Sequence, residues 1–438
     1  MRLSPTSALT LALRIAIAMA PSMLIVQPIT GFLPTVAFLE TGLLISALLC
    51  GSVMLRMTGS DLKFNLRNVL PSIALLGFVA SVVVSTLRAP YLSDALQQAS
   101  SNTMQMVFPY MFTITAACII MFTEHSRNQL IQSVVLGAAA VPVVMLLFDA
   151  QAGTLPQYLS DFAYGIRVQD TKLVVSPNVN ALIGAVGAAC SLLLLIKEGR
   201  YRYVLGIAAG VFYVAITQSK GLMISLSFAC VLMFIPRAMT PRVMRLAVIF
   251  WVVSAPVQIW LYDAIGGSVV GEMLVRSEAS YLGVGTGRTL IWTAAFGEIL
   301  SRPLSYLFGT GYLSAVGTSV ITAMQQAIGP GDIYDLLQRS YSLHNAALQY
   351  LFDTGISGLF CLVIVLFGAT SRACFKEPHL NALILLLMLS GWNEAAGTIY
   401  SLEAFFPFFG LIAALSFSVP DQAPEISPHE IFSVRHEE

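Results

Sequence analysis

Residues 130–148, LIQSVVLGAAAVPVVMLLF, carry no charged side chain from end to end. A helix rises 1.5 Å per residue, so about 20 apolar residues wound as a helix cover the roughly 30 Å hydrocarbon core of a bilayer. Comparable runs recur at about 9–27, 32–55, 69–87, 104–122, 180–196, 203–217, 221–236, 246–262, 346–370, 380–392 and 403–418. None has the alternating ten-residue pattern of a barrel strand, so the spans are read as helices. Composition agrees: 57% of the 438 residues are hydrophobic and 11% charged, with a mean hydropathy of +0.79. That is too apolar for a soluble fold of this length. The expected fold class is all-α: a polytopic helical membrane protein of about twelve transmembrane helices, one integral membrane domain over residues 1–438. The runs near 203, 221 and 380 are short for a full crossing, which leaves about ten or eleven spans as the alternative.

The opening stretch, MRLSPTSALTLALRIAIAMAPS (1–22), mimics a secretory leader with a small-residue AMA site. Arg14, however, interrupts its apolar core, and the cut would fall before Pro21. It is read as an uncleaved first span. Short cytoplasmic loops retain Lys and Arg. With the N-terminus inside, fourteen of the 23 Lys and Arg residues fall in short inner loops, eight fall in longer outer ones, and Arg14 lies within a span. Both termini are therefore expected in the cytoplasm, with 419–438 as a cytoplasmic tail. Two long segments are then outside, 150–179 and a large periplasmic loop between late helices at 263–343. Loops of that size are usually functional, so the active site is sought on this outer face.

Net charge is zero and no basic block stands out, so nucleic acid is not an expected partner. Five of the six cysteines lie inside apolar runs and Cys374 in a short basic loop, a distribution that suggests neither a disulfide framework nor a metal cluster. No paired-aspartate DxD motif occurs in either outer loop, and no divalent metal or other cofactor is expected.

The outer face does hold a histidine and a set of cations. His344, in QRSYSLHNAALQYLF (338–352), stands just before an apolar helix that begins near Ala346, with Ser342 as its expected cap. A helix N-terminus favours the neutral ring, which is the form a general base needs. Around it in the outer segments are Arg288 in GVGTGRTLIW, Lys220 in TQSKGLMIS, Arg167 in YGIRVQDTK and Arg339 in LQRSYSLHN. Cations beside apolar helix ends are costly unless an anion or counter-ion meets them, and a lipid-linked diphosphate would suit. Glu40, Asp353, Glu394 and Glu403 are acids at span level, with Gly355 and Gly358 marking a bend or close packing just below His344. The segment GRTLIWTAAFGEILSRPLSYLFG (287–309) reads as a helix that rests on the membrane interface or packs on the spans.

Four segments carry a family resemblance: VVSPNVNALIG, TQSKG, GTGRTLIWTAAFGEILSRPLSYLFGTGY and HNAALQYLFDTGISGLF. In this order, over residues 165–370, they resemble the O-antigen ligase and polymerase superfamily of bacterial envelope polysaccharide synthesis. The resemblance implies a metal-independent, inverting glycosyltransferase in the bacterial inner membrane. Its donor would be an undecaprenyl-diphosphate-linked glycan, and its acceptor either a second lipid-linked glycan or lipid A core. By position, His344 and Arg288 would be catalytic, with Lys220, Arg167, Arg339 and Asn345 binding substrate. Lys220 stands where the family has arginine, and the segment after Arg167 lacks the family's glycine. Membrane lipid, a flippase and a chain-length regulator are the other partners implied. Polymerisation of lipid-linked repeat units is the first reading and ligation to lipid A core the alternative. A transporter or flippase for lipid-linked sugars is a rival class that predicts broken helices in matching halves and a midplane site. A structural subunit of an envelope complex is a further one.

Overall fold

The computed structural model describes residues 69–88, 124–168, 171, 177–235, 239–265, 288–311, 318–328, 343–376 and 380–391, with six more between 8 and 15. The described residues form helices joined by turns, with no strand among them. In chain order the helices are α1 Val69–Arg88, α2 Glu124–Gln151, α3 Leu155–Ala163, α4 Pro177–Glu198, α5 Arg202–Ile216, α6 Lys220–Phe234, α7 Thr240–Val252, α8 Ser254–Ile265, α9 Arg288–Ser301, α10 Pro303–Phe308, α11 Ser319–Ile328, α12 Ala346–Lys376 and α13 Leu380–Ser390. Ile131–Gln151, Asn180–Glu198 and Ala346–Thr370 are long and apolar enough to cross a membrane. The runs expected at 32–55, 104–122 and 403–418 lie outside the described residues.

The surface polarity fits these lengths. On α6, Ile224, Phe228 and Val231 are more than half exposed, whereas Ser225 is buried. That is the reverse of a helix in water, where apolar side chains turn inward. The described residues are thus all-helical, and three of their apolar helices reach membrane-spanning length.

Small residues set the spacing of the central helices. A Cβ at Gly184 or Gly210 would collide with the other's backbone where α4 meets α5, and one at Gly187 would strike the Pro142 ring of α2. Backbones in contact gain dispersion along their whole length, which is how helices associate where no water drives them together.

Two spans depart from straight helices. The run read as one span at 246–262 is two helices, α7 and α8, bent by 73°. Helix α12 is broken at Gly355, whose φ of 68° and ψ of −172° lie outside the helical region. The bend expected from Gly355 is thus present. Gly358 also packs closely, its α-carbon facing Ser81 of α1. The break frees the Phe352 carbonyl, and Thr310 restores its partners with the backbone N–H (2.7 Å) and the hydroxyl (2.9 Å). Gly309 enters the same gap against Asp353, at a φ of 80°. Only a residue without a side chain fits there.

Helix α12 lies on the seam between two cores. Ala346, Ala347 and Tyr350 belong to the large core of α1, α2, α4–α7 and α13. Leu348 and Phe352 belong to a smaller one built around Trp292 of α9, with Ala255 of α8 and Val320 of α11. The described part of segment 287–309, residues 288–309, is therefore packed against the bundle: Trp292 is fully buried, although Leu290 and Leu300 remain exposed.

Candidate functional site

His344 occupies a turn whose neighbours are fixed on every side. Helix α12 begins at Ala346, so its cap is Asn345 and not Ser342, which lies outside the described residues. The Asn345 Oδ1 accepts from the Leu348 N–H (2.9 Å) and its Nδ2 donates to Ser254 Oγ at the start of α8 (2.9 Å). The Ala346 N–H donates to the Gly391 carbonyl at the end of α13 (2.8 Å). On the other side, the Leu343 carbonyl accepts from Trp292 Nε1 at 2.6 Å and the Leu343 N–H donates to Gln349 Oε1 at 2.8 Å. Leu343 and Asn345 are fully buried while His344 between them is half-buried, at a φ of 52°. For a side chain with a Cβ that left-handed backbone costs energy and persists only where its surroundings impose it.

The tie to Trp292 brings Arg288 into the same neighbourhood. Arg288 is the first residue of α9, half-buried, one helical turn before Trp292 and so on its face. Tyr262 of α8 stacks on Trp292 with ring centroids 6.3 Å apart.

Arg167 and Lys220 form a second group. Arg167 Nε donates to the Thr217 carbonyl (2.8 Å) and the Val168 N–H to the Ile216 carbonyl (3.2 Å), so the segment after α3 is sewn to the end of α5. Three residues beyond Thr217, exposed Lys220 opens α6. Beneath this corner lies Asp149, fully buried, which accepts from Tyr213 (2.6 Å), Tyr158 (3.4 Å) and Thr154 (3.4 Å) hydroxyls.

The Arg167–Lys220 group stands where α5 ends and α6 begins, and the His344 turn stands where α7 ends and α12 begins. The end of α7 meets the start of α12 at Gly391, next to both Trp251 and Ala346. Arg339, Glu40, Glu394 and Glu403 lie outside the described residues.

Two features escaped sequence reading. The indole of Trp292 holds the histidine turn, a role that reading 287–309 as a helix resting on the interface or packed on the spans did not assign to it. The Asp149 hydroxyl cage joins residues from α2, α3 and α5; the only local signal is a carboxylate at the end of an apolar run. Arg14, read within a span, donates to Ser133 Oγ (3.2 Å). Among the described residues no three His, Cys, Asp or Glu side chains gather as a metal site would require. The ionisable side chains of the two groups are an imidazole (His344), two guanidiniums (Arg288 and Arg167) and an ammonium group (Lys220), which suit an anion and a proton transfer. No family model, curated protein or solved structure matches this chain.

Proposed function

We propose that this chain is a metal-independent glycosyltransferase that polymerises undecaprenyl-diphosphate-linked repeat units at the periplasmic face of a bacterial inner membrane. It would be a multi-pass protein of about twelve spans with both termini in the cytoplasm. The observation that carries the reading is the 2.6 Å bond from Trp292 to Leu343, which joins the turn of His344 to the first turn of the helix headed by Arg288. A base and a fixed cation on adjoining elements suit displacement of a sugar from a diphosphate. His344 takes the proton of the acceptor hydroxyl as that oxygen attacks the anomeric carbon from the face opposite the leaving group. The bond to the diphosphate oxygen breaks, and Arg288 neutralises the charge that develops there. Lys220 and Arg167, with Arg339, hold the remaining phosphate and sugar oxygens. The left-handed backbone at His344 supports the assignment, since strain of this kind gathers at working residues.

The test is incubation of the purified full-length chain with synthetic lipid-diphosphate repeat units, alone and with lipid A core. Longer lipid-linked chains are expected. Labelled core would make it a ligase, and neither product would overturn the transferase reading. One observation favours the second class, a transporter of lipid-linked sugars: a span broken at Gly355, with a bend also between α7 and α8. Movement of a labelled lipid-linked sugar across proteoliposomes, without glycan transfer, would select it.

A further inference from the structure

Gln349 and Asp353 are buried polar residues inside an apolar helix, and neither has a part in the chemistry described above. They lie one turn apart on α12, 4% and 0% exposed. Gln349 Nε2 donates to Asp353 Oδ2 at 3.0 Å, and Gln349 Oε1 accepts the Leu343 N–H at 2.8 Å. This orientation of the amide is chemically enforced. A backbone N–H needs an acceptor and a carboxyl oxygen in this position needs a donor, so turning the amide over would lose both bonds. At its far end the relay reaches the break in α12, where Thr310 and Gly309 lie against Phe352 and Asp353. At its near end it grips the N–H of Leu343, the residue immediately before His344.

We propose that Gln349 and Asp353 are positioning residues that hold His344 in its left-handed backbone, Asp353 acting through Gln349 and Gln349 through the Leu343 N–H. Three bonds are then needed to set one turn: Trp292 on the Leu343 carbonyl, Gln349 on the Leu343 N–H, and Asn345 on the helix start. The first and third fix elements on either side of the turn. The second fixes the turn to its own helix, at the point where the backbone leaves ordinary geometry. Without it Leu343 is held through its carbonyl alone, and the backbone at His344 is less restrained from relaxing toward negative φ, the basin that non-glycine residues prefer.

A charge-complementarity swap in the full-length protein tests the relay. In Gln349→Glu, the new carboxylate turns an oxygen toward the Asp353 oxygen, and their repulsion draws the side chain away from the Leu343 N–H. In the double variant Q349E/D353N, the amide introduced at position 353 donates to the carboxylate introduced at position 349, and the relay is rebuilt with its polarity reversed. Gln349→Met, of similar volume and uncharged, removes both bonds without adding charge. Two quantities are read: hydrogen exchange of the Leu343 amide against α4 amides, and transfer at saturating lipid-diphosphate donor. Leu343 exchange is expected to quicken by about tenfold in Q349E and Q349M with α4 protection unchanged, and to return in Q349E/D353N. The transfer rate should fall and recover in parallel, with the KM for donor unmoved. Unchanged exchange at Leu343 in Q349M, or a double variant no better than Q349E, overturns the proposal. The transfer readout rests on the proposed function, whereas the exchange readout does not. A purified chain without transferase activity would sink the former reading and leave the positioning claim to be decided by exchange alone.

Discussion

The turns at His344 and at Gln218 share a backbone feature that no other described non-glycine residue has. Each lies in the left-handed region, φ 52° and 49°, two residues before a helix begins. They differ in what holds them. At His344 the following residue caps the helix with its side chain, the preceding residue is bonded at both its N–H and its carbonyl, and three other helices contribute partners at or next to their ends or along their length. At Gln218 the next residue, Ser219, makes no side-chain cap bond; backbone bonds within α5 shape the turn, with an outside contact from Arg167 Nε to the Thr217 carbonyl. The Gln218 conformation is therefore the ordinary way a helix ends, with left-handed backbone one residue past its cap. The His344 conformation is imposed from outside. The same dihedral angle thus means helix termination in one place and a constrained side chain in the other.

Several substitutions would break or sharpen this contrast. The largest effect is expected at the histidine itself: His344→Ala should lower glycan transfer by about 10²- to 10⁴-fold with membrane insertion intact, whereas Gln218→Ala should change it by less than about tenfold. Equal losses at the two positions would show that the turn, not the imidazole, matters. Next is Trp292→Phe, which leaves the buried Leu343 carbonyl without its indole donor and should cost about 1–3 kcal/mol in denaturant unfolding of the detergent-solubilised protein. A stability equal to wild type would mean that the tie in the proposed site does not hold. The caps come third. Asn345→Ala should destabilise by about 1–2 kcal/mol because it loses a helix cap and the bond to Ser254, while Ser219→Ala should fall within about 0.5 kcal/mol of wild type. The smallest effect is expected at the opposite end of α4 and α5, where exposed Glu198 pairs with Arg200 at 3.6 Å and Arg202 at 3.5 Å. Screening by water leaves such pairs little weight, and Glu198→Gln should shift neither melting temperature nor transfer measurably.

Much of this could be read along the chain. The runs at 69–87, 130–148, 180–196, 203–217, 221–236 and 380–392 each coincide with a described helix, because apolar length is a local property. Gly355 also gave notice of the break. The bend between Val252 and Ser254 had a local signal that the reading of 246–262 as one span passed over: Pro256 has no N–H for the Val252 carbonyl one turn before it, and packing against α9 and α12 then sets the direction of α8. Asn345 stood in view as a substrate-binding residue, yet its side chain is engaged with Leu348 and Ser254. Where α12 takes its first residue decides between those roles, and helix ends are the least legible feature of a sequence.

By itself, then, the sequence determined that the chain forms apolar helices of spanning length, where several of them begin and end, and which polar side chains stand at their margins. These follow from hydrophobicity and local backbone preference, which act over a few residues. Tertiary structure alone decided that Trp292 reaches Leu343 across 51 positions and that Tyr213 reaches Asp149 across 64. It also decided that Gly309 and Thr310 fill the break beside Phe352. Burying a polar group is favourable only when a partner is already in place, and in these cases the partner comes from a distant part of the chain through packing that no local pattern encodes.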